Sequence, residues 1–261
     1  MSETQVVVDV SRGVARIELS RPEAANTIDL DVAKGLARAA RRLRDDPAVR
    51  AVLLTGAGGV FCAGGDLKAF ARSDDLPALL REITSHLHEA VSELVRLEAP
   101  LVVAVEGSAA GAGLGLVSAG DLVVASESAR FVMAYTAVGL TPDGSSSWFL
   151  PRLVGERRAM ELVLTNRVLD AGEALDWGLV TSVVRDGETA EAGAELARSL
   201  AAGPMQAFGA AKRLVRSAWT RGLEPHLAAE SEELARAAGR HDAHEGIAAF
   251  LEKRPPCFDG M

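Results

Sequence analysis

Two glycine-rich turns and one isolated aspartate are the residues of this 261-residue chain best suited to chemistry. The first turn runs Gly56-Ala57-Gly58-Gly59-Val60-Phe61-Cys62-Ala63-Gly64-Gly65 and continues into Asp66-Leu67-Lys68. The second runs Gly107-Ser108-Ala109-Ala110-Gly111-Ala112-Gly113-Leu114-Gly115. Each follows a short apolar run, and the second leads into a helical stretch. A carbonyl that gains negative charge needs preorganised donors aimed at its oxygen. Backbone N–H groups serve where Gly and Ala leave the approach open, and a helix start adds unpaired N–H groups and a favourable dipole. Losing one such donor typically costs ~2.7–4 kcal/mol of transition-state stabilisation. The same glycines equally permit sharp turns and close helix–strand packing. Residue types alone leave both readings open.

Other glycine-loop chemistries are excluded by particular residues. A dinucleotide fingerprint through Gly111-x-Gly113 needs glycine at position 116, where Leu116 stands, and no Gly-Lys-Ser/Thr closes the first turn as a phosphate loop would. Asp143 follows Pro142 and precedes Gly144-Ser145-Ser146-Ser147, where a helix begins. It either caps that helix or offers a carboxylate base. His88, two residues from His86, suits a surface or a functional role. Tyr135, the only tyrosine, suits the core or a pocket wall. Cys62 and Cys257 are 195 positions apart without a metal-ligand pattern, so neither a disulfide scaffold nor a metal site is expected.

The elements that must position these groups alternate in type. Residues 6–10 and 14–20 read as a β-hairpin, 29–45 as an amphipathic helix, and 49–55 as a buried strand. A helix over 76–97 ends at Pro100, and a strand over 101–105 precedes the second turn. Short strands are expected at 122–125 and 130–133. Helices then follow over 145–153, 156–165, 171–176, 188–202, 204–219, 222–239 and 243–253. Strand–helix alternation followed by helices makes an α/β core with a helical C-terminal part. A boundary near Gly203-Pro204 divides a core over 1–200 from a helical region over 201–261. The net charge of −8 argues against nucleic-acid binding. No apolar run is long enough to span a membrane. The opening Met1-Ser2-Glu3-Thr4 has no signal-peptide pattern, so a cytoplasmic location is expected.

Together the turns resemble those of the crotonase (enoyl-CoA hydratase/isomerase) superfamily. The matching segments include Arg21-Pro22-Glu23-Ala24-Ala25-Asn26, Phe61-Cys62-Ala63-Gly64-Gly65-Asp66-Leu67, Gly139-Leu140-Thr141-Pro142-Asp143 and Leu150-Pro151-Arg152-Leu153-Val154-Gly155, and they cover nearly the whole chain. The resemblance implies a ββα spiral core with a C-terminal α-helical trimerisation region, as a homotrimer or a hexamer of two trimers. It implies an acyl-CoA substrate, with no cofactor beyond that coenzyme A moiety. It places oxyanion donors at the N–H groups of Gly65 and Ala112, and coenzyme A along Ala24, Ala63, Gly64, Asp66, Leu67, Lys68 and Gly111. Phe250 and Lys253 of a neighbouring subunit fall where the nucleotide end is held.

The chain departs from the hydratase pattern at both glutamates that activate water. Gly115 and Tyr135 occupy those positions, and neither supplies a carboxylate. Asp143 stands where two related branches carry one. In isomerases of ring-opened phenylacetyl-CoA catabolism it shuttles a proton, and in aryl-CoA dehalogenases it is a nucleophile. His88 also matches a functional dehalogenase histidine, although the dehalogenase tryptophan is replaced by Tyr135. The leading expectation is an enoyl-CoA isomerase with Asp143 as proton shuttle. The alternatives are a hydratase with relocated carboxylates, a dehalogenase or thioester hydrolase, and an inactive acyl-CoA-binding subunit.

Overall fold

The computed structural model describes residues 5–260. The opening tetrapeptide and its signal-peptide reading lie outside them. The chain begins with β1 (Val6–Ser11), β2 (Val14–Leu19), α1 (Leu30–Arg44) and β3 (Ala51–Gly56), then α2 (Leu67–Ala71) and α3 (Leu76–Arg96). Next come β4 (Leu101–Val105), β5 (Ser108–Ala110), α4 (Ala112–Ala119), β6 (Leu122–Ser126) and β7 (Arg130–Val132). The remainder is α5 (Ser146–Val154), α6 (Glu156–Thr165), β8 (Leu169–Asp170), α7 (Ala171–Asp176), β9 (Ser182–Val184) and four helices, α8 (Thr189–Ala201), α9 (Met205–Ser217), α10 (Leu223–Ala238) and α11 (His241–Glu252).

The strands form two sheets. The larger has the order β1-β2-β3-β4-β6-β9 and the smaller β5-β7-β8. Among the described residues, only the β1–β2 hairpin and the β7–β8 pair are antiparallel. Between β4 and β7 the chain gives one strand to the large sheet and the next to the small one, so successive turns stack as a spiral. The central strands β3 and β4 are buried on both faces, and residues 51–54 and 101–105 are correspondingly unbroken in apolar character.

Most expected elements hold to within a residue or two. The short strands β5, β8 and β9 and the five-residue helix α2 are additions, because two or three residues carry no readable period. Asp29 caps α1 by accepting from the Val32 amide at 2.9 Å. Arg41 pairs with Glu89, Arg44 with Glu93 and Lys34 with Glu82, fastening α1 along α3. Asp121 receives Lys212 at 2.6 Å and Arg216 at 2.7 Å, which ties α9 to the loop before β6. Burial pushes the Lys212 ammonium below its usual pKa, and the Asp121 charge opposes that shift. None of the helices is long and apolar enough to cross a membrane among the described residues.

Candidate active site

The two glycine-rich turns are bonded to one another. The Cys62 amide donates to the Ser108 carbonyl at 3.0 Å, and the Ala110 amide donates to the Cys62 carbonyl at 2.9 Å. Gly64 adopts φ 97° with the space for a side chain filled by the Ala110 carbonyl 3.0 Å away, so only glycine fits there. Asn26 anchors the first turn from the other side. Its amide donates to the Ala57 and Val60 carbonyls at 2.9 and 2.6 Å, and its oxygen accepts from the Arg21 amide at 2.8 Å. The Arg21–Asn26 segment therefore acts as a brace for the turn.

Those contacts leave two amides unspent. Among the described residues the Gly65 N–H enters no backbone bond, although its neighbours Gly64 and Asp66 both bond Ile28. Ala112 is the first residue of α4, so its N–H has no partner within the helix. Gly65 and Ala112 line one cavity of about 450 Å³, together with Ala63, Gly64, Gly111 and Asp143. The far wall is Leu80, Ile83, Thr84 and Leu87 of α3. Two free N–H groups at one cavity wall can hold an oxygen that becomes negative. Substituting Ala112 by proline tests this, because proline is tolerated at the first position of a helix yet replaces the N–H with a ring carbon, so both the donor and the space for the oxygen are lost. Turnover is expected to fall about 10²–10³-fold, with unchanged circular dichroism.

Asp143 supplies the carboxylate in this cavity. The capping alternative is decided against it, since Ser145 stands at the N-terminal cap of α5 and no side chain bonds there. What holds the turn is the Asp143 backbone carbonyl, which accepts from the Ser146 amide at 3.2 Å and hydroxyl at 2.7 Å. The carboxylate instead meets His88 Nε2, 2.7 Å from Oδ1. Tyr135 also faces the cavity. Burial and then the Asp143 charge push its phenol well above the ordinary tyrosine range, only partly offset by the Asp143 amide. It stays protonated at neutral pH. Cys62 is fully buried and its thiol is pushed up to about 12, so it is no nucleophile.

Gly115 explains how the carboxylate arrives. A side chain at Gly115 would lie 2.3 Å from the Gly144 carbonyl oxygen and 3.4 Å from that of Asp143. The loop carrying Asp143 packs directly onto the backbone of α4 at the position where a hydratase-type glutamate would stand.

The remaining expected residues are distributed differently. Leu67 lines the cavity, whereas Ala24, Asp66 and Lys68 do not. The Asp66 carboxylate caps α2 through the Ala69 amide at 2.9 Å and pairs with Arg21 at 2.8 Å. Burial opposes its ionisation, but those amides and Arg21 together hold it below the usual carboxylate range. Lys68 is exposed. Phe250 is 82% exposed near the end of α11, and Lys253 follows that helix at φ 54°. Neither lines the cavity of its own chain. The α3 lining residues were not singled out from the sequence, because their apolar stripe reads as ordinary core packing.

The family model for enoyl-CoA hydratase/isomerase matches residues 9–261. The chain belongs to that family. It is 39% identical over 258 residues to 1,2-epoxyphenylacetyl-CoA isomerase of Escherichia coli, covering 98% of both chains. It is 35% identical to 4-chlorobenzoyl coenzyme A dehalogenase-2 of Arthrobacter sp., covering 97% of this chain and 92% of that one. The crystal structure of an enoyl-CoA hydratase from Polaromonas sp. JS666 superposes with a TM-score of 0.92 at 34% identity, covering 97% of this chain and 99% of that one. The crotonase-type α/β fold is thereby shown.

Proposed function

We propose that this protein is an enoyl-CoA isomerase that shifts a double bond along the acyl chain. The observation that carries the reading is a single carboxylate, Asp143, facing the cavity that two unspent amides also line. The thioester oxygen takes the Gly65 and Ala112 N–H groups. Asp143 removes a proton from the acyl chain, the charge delocalises into a dienolate held by those amides, and the proton returns at a different carbon. No cofactor beyond the coenzyme A moiety is needed, since the two amides and one carboxylate cover every step. Syn-hydration by the usual pair of glutamates is disfavoured, because Gly115 and Tyr135 provide no carboxylate. The similarity to 1,2-epoxyphenylacetyl-CoA isomerase supports the same class. Incubation with 3-enoyl-CoA thioesters is expected to yield 2-enoyl-CoA with its characteristic absorbance; a 3-hydroxyacyl-CoA as the sole product would overturn the reading.

The His88–Asp143 pair favours one second reading, with Asp143 as a nucleophile toward a 4-halobenzoyl-CoA. Single turnover in heavy-oxygen water would then label the Asp143 carboxylate. We expect no such label, because the dehalogenase-type tryptophan is replaced by Tyr135.

The C-terminal helices are proposed as the oligomerisation surface. Val215, Trp219, Leu223 and Leu234 are each at least 66% exposed, an apolar face that a neighbouring copy would cover. In that assembly Phe250 and Lys253 would reach the nucleotide end of coenzyme A bound to the neighbour. Light scattering at micromolar concentration is expected to give a trimer or hexamer, and a monomer would refute this.

A further inference from the structure

Among the described residues, Asp143 alone lines both of two neighbouring cavities. The first is the chamber lined by Gly65 and Ala112. The second, about 390 Å³, is lined by Asp143 together with His88, Ser92, Arg96, Ser145 and Ser147. His88 belongs to the second cavity alone. Its side chain is 54% exposed and its Nε2 lies 2.7 Å from Asp143 Oδ1, whereas the Asp143 side chain is 28% exposed. The carboxylate therefore stands between a mostly apolar chamber and an imidazole open to water. Arg96 is the other charged side chain lining that cavity, and its guanidinium is turned onto Ser92.

We propose that His88 is a proton relay that connects Asp143 to solvent through the second cavity, so that the proton taken from the substrate is exchanged before it returns. The inference rests on the isomerase reading. Asp143 takes a proton from the acyl carbon and becomes a carboxylic acid, while the substrate becomes the dienolate. In its Nδ1–H tautomer the His88 ring accepts that proton at the Nε2 lone pair from the Asp143 acid O–H, regenerating the carboxylate, which then accepts from the new Nε2–H. The imidazolium releases its Nδ1 proton to water. The reverse sequence brings a solvent proton to Asp143 and then to the carbon that gains it. An imidazole ring accepts a proton at one nitrogen and releases one from the other, which is what a relay requires. The short hydrogen bond already joins the two heavy atoms along the required path. His88 does not itself line the substrate chamber and meets it only at Asp143, so it acts through Asp143.

The test is isomerisation of a 3-enoyl-CoA in deuterated water, with product deuterium read by mass spectrometry at low conversion. Wild-type product is expected to carry one deuterium in most molecules. His88→Gln keeps a donor toward Asp143 but cannot accept and forward a proton. Its product is expected to contain at least about fivefold less deuterium, while kcat falls less than about tenfold, since Asp143 then returns the substrate's own proton. If the variant turns over too slowly for product analysis, exchange of the α-hydrogen of a saturated acyl-CoA reads the same step by nuclear magnetic resonance. That exchange is also expected to slow at least about fivefold. Equal deuterium in variant and wild type would overturn the relay, as would wild-type product free of deuterium. Both results leave the isomerase reading standing. Absence of wild-type turnover with every enoyl-CoA would instead remove the isomerase reading and the relay with it.

Discussion

Replacing Asp143 by asparagine is expected to lower kcat for double-bond migration about a thousandfold, within the usual range for loss of a positioned acid–base group. Asparagine matches aspartate in shape and can still bond His88, so the α5 turn should be unaffected. That turn is held by the Asp143 backbone carbonyl and not by the carboxylate. Calorimetric affinity for an acyl-CoA is therefore expected to change little. The cavity wall and both amides remain, and an interaction used mainly in the transition state affects kcat more than ground-state binding. A variant that keeps more than about a tenth of wild-type kcat would exclude Asp143 as the shuttle. A variant that loses binding and turnover together would show that the carboxylate shapes the pocket instead.

Restoring a hydratase-type carboxylate at Gly115 is expected to fail. Even the first carbon of a glutamate side chain would lie 2.3 Å from the Gly144 carbonyl oxygen. That is a backbone clash which no rotamer choice relieves, so the loop carrying Asp143 must move. Overpacking of this kind costs at least about 1–3 kcal/mol. For a chain of this size that is a fall of roughly 2–12 °C in Tm. Gly115→Glu should therefore be less stable, inactive as an isomerase and without hydratase activity. Gain of hydration at wild-type stability would show that the Gly144 loop is freer than its packing implies. The paired variant Gly115→Ala isolates the steric effect, because it adds the same carbon without the charge and should lose stability to a similar degree.

The linear chain carried much of this protein openly. The periods of residues 29–45 and 76–97 are long enough to declare helices, and the apolar runs at 49–55 and 101–105 declare buried strands. The turn glycines, the unusual residues at 115 and 135, and the isolated Asp143 were visible as types and spacings. What those residues do was another matter. A carboxylate beside a helix start reads equally as a cap or a base, and only the fold decided between them, by putting Ser145 at the cap and His88 of α3, 55 residues away in sequence, against the carboxylate. Asp66 shows the reverse outcome. It lies inside the most suggestive motif, yet folding brings Arg21 and the α2 amides onto its carboxylate and spends it on structure. Gly115 could be read as a missing glutamate, but that a side chain there meets a close backbone approach between α4 and the 143–144 loop is visible only in the fold. Local periodicity and residue type are properties of neighbours in the chain and survive in the sequence. Hydrogen-bond partnership and steric exclusion belong to neighbours in space, and for Asp143, Asp66 and Gly115 the tertiary structure alone supplied them.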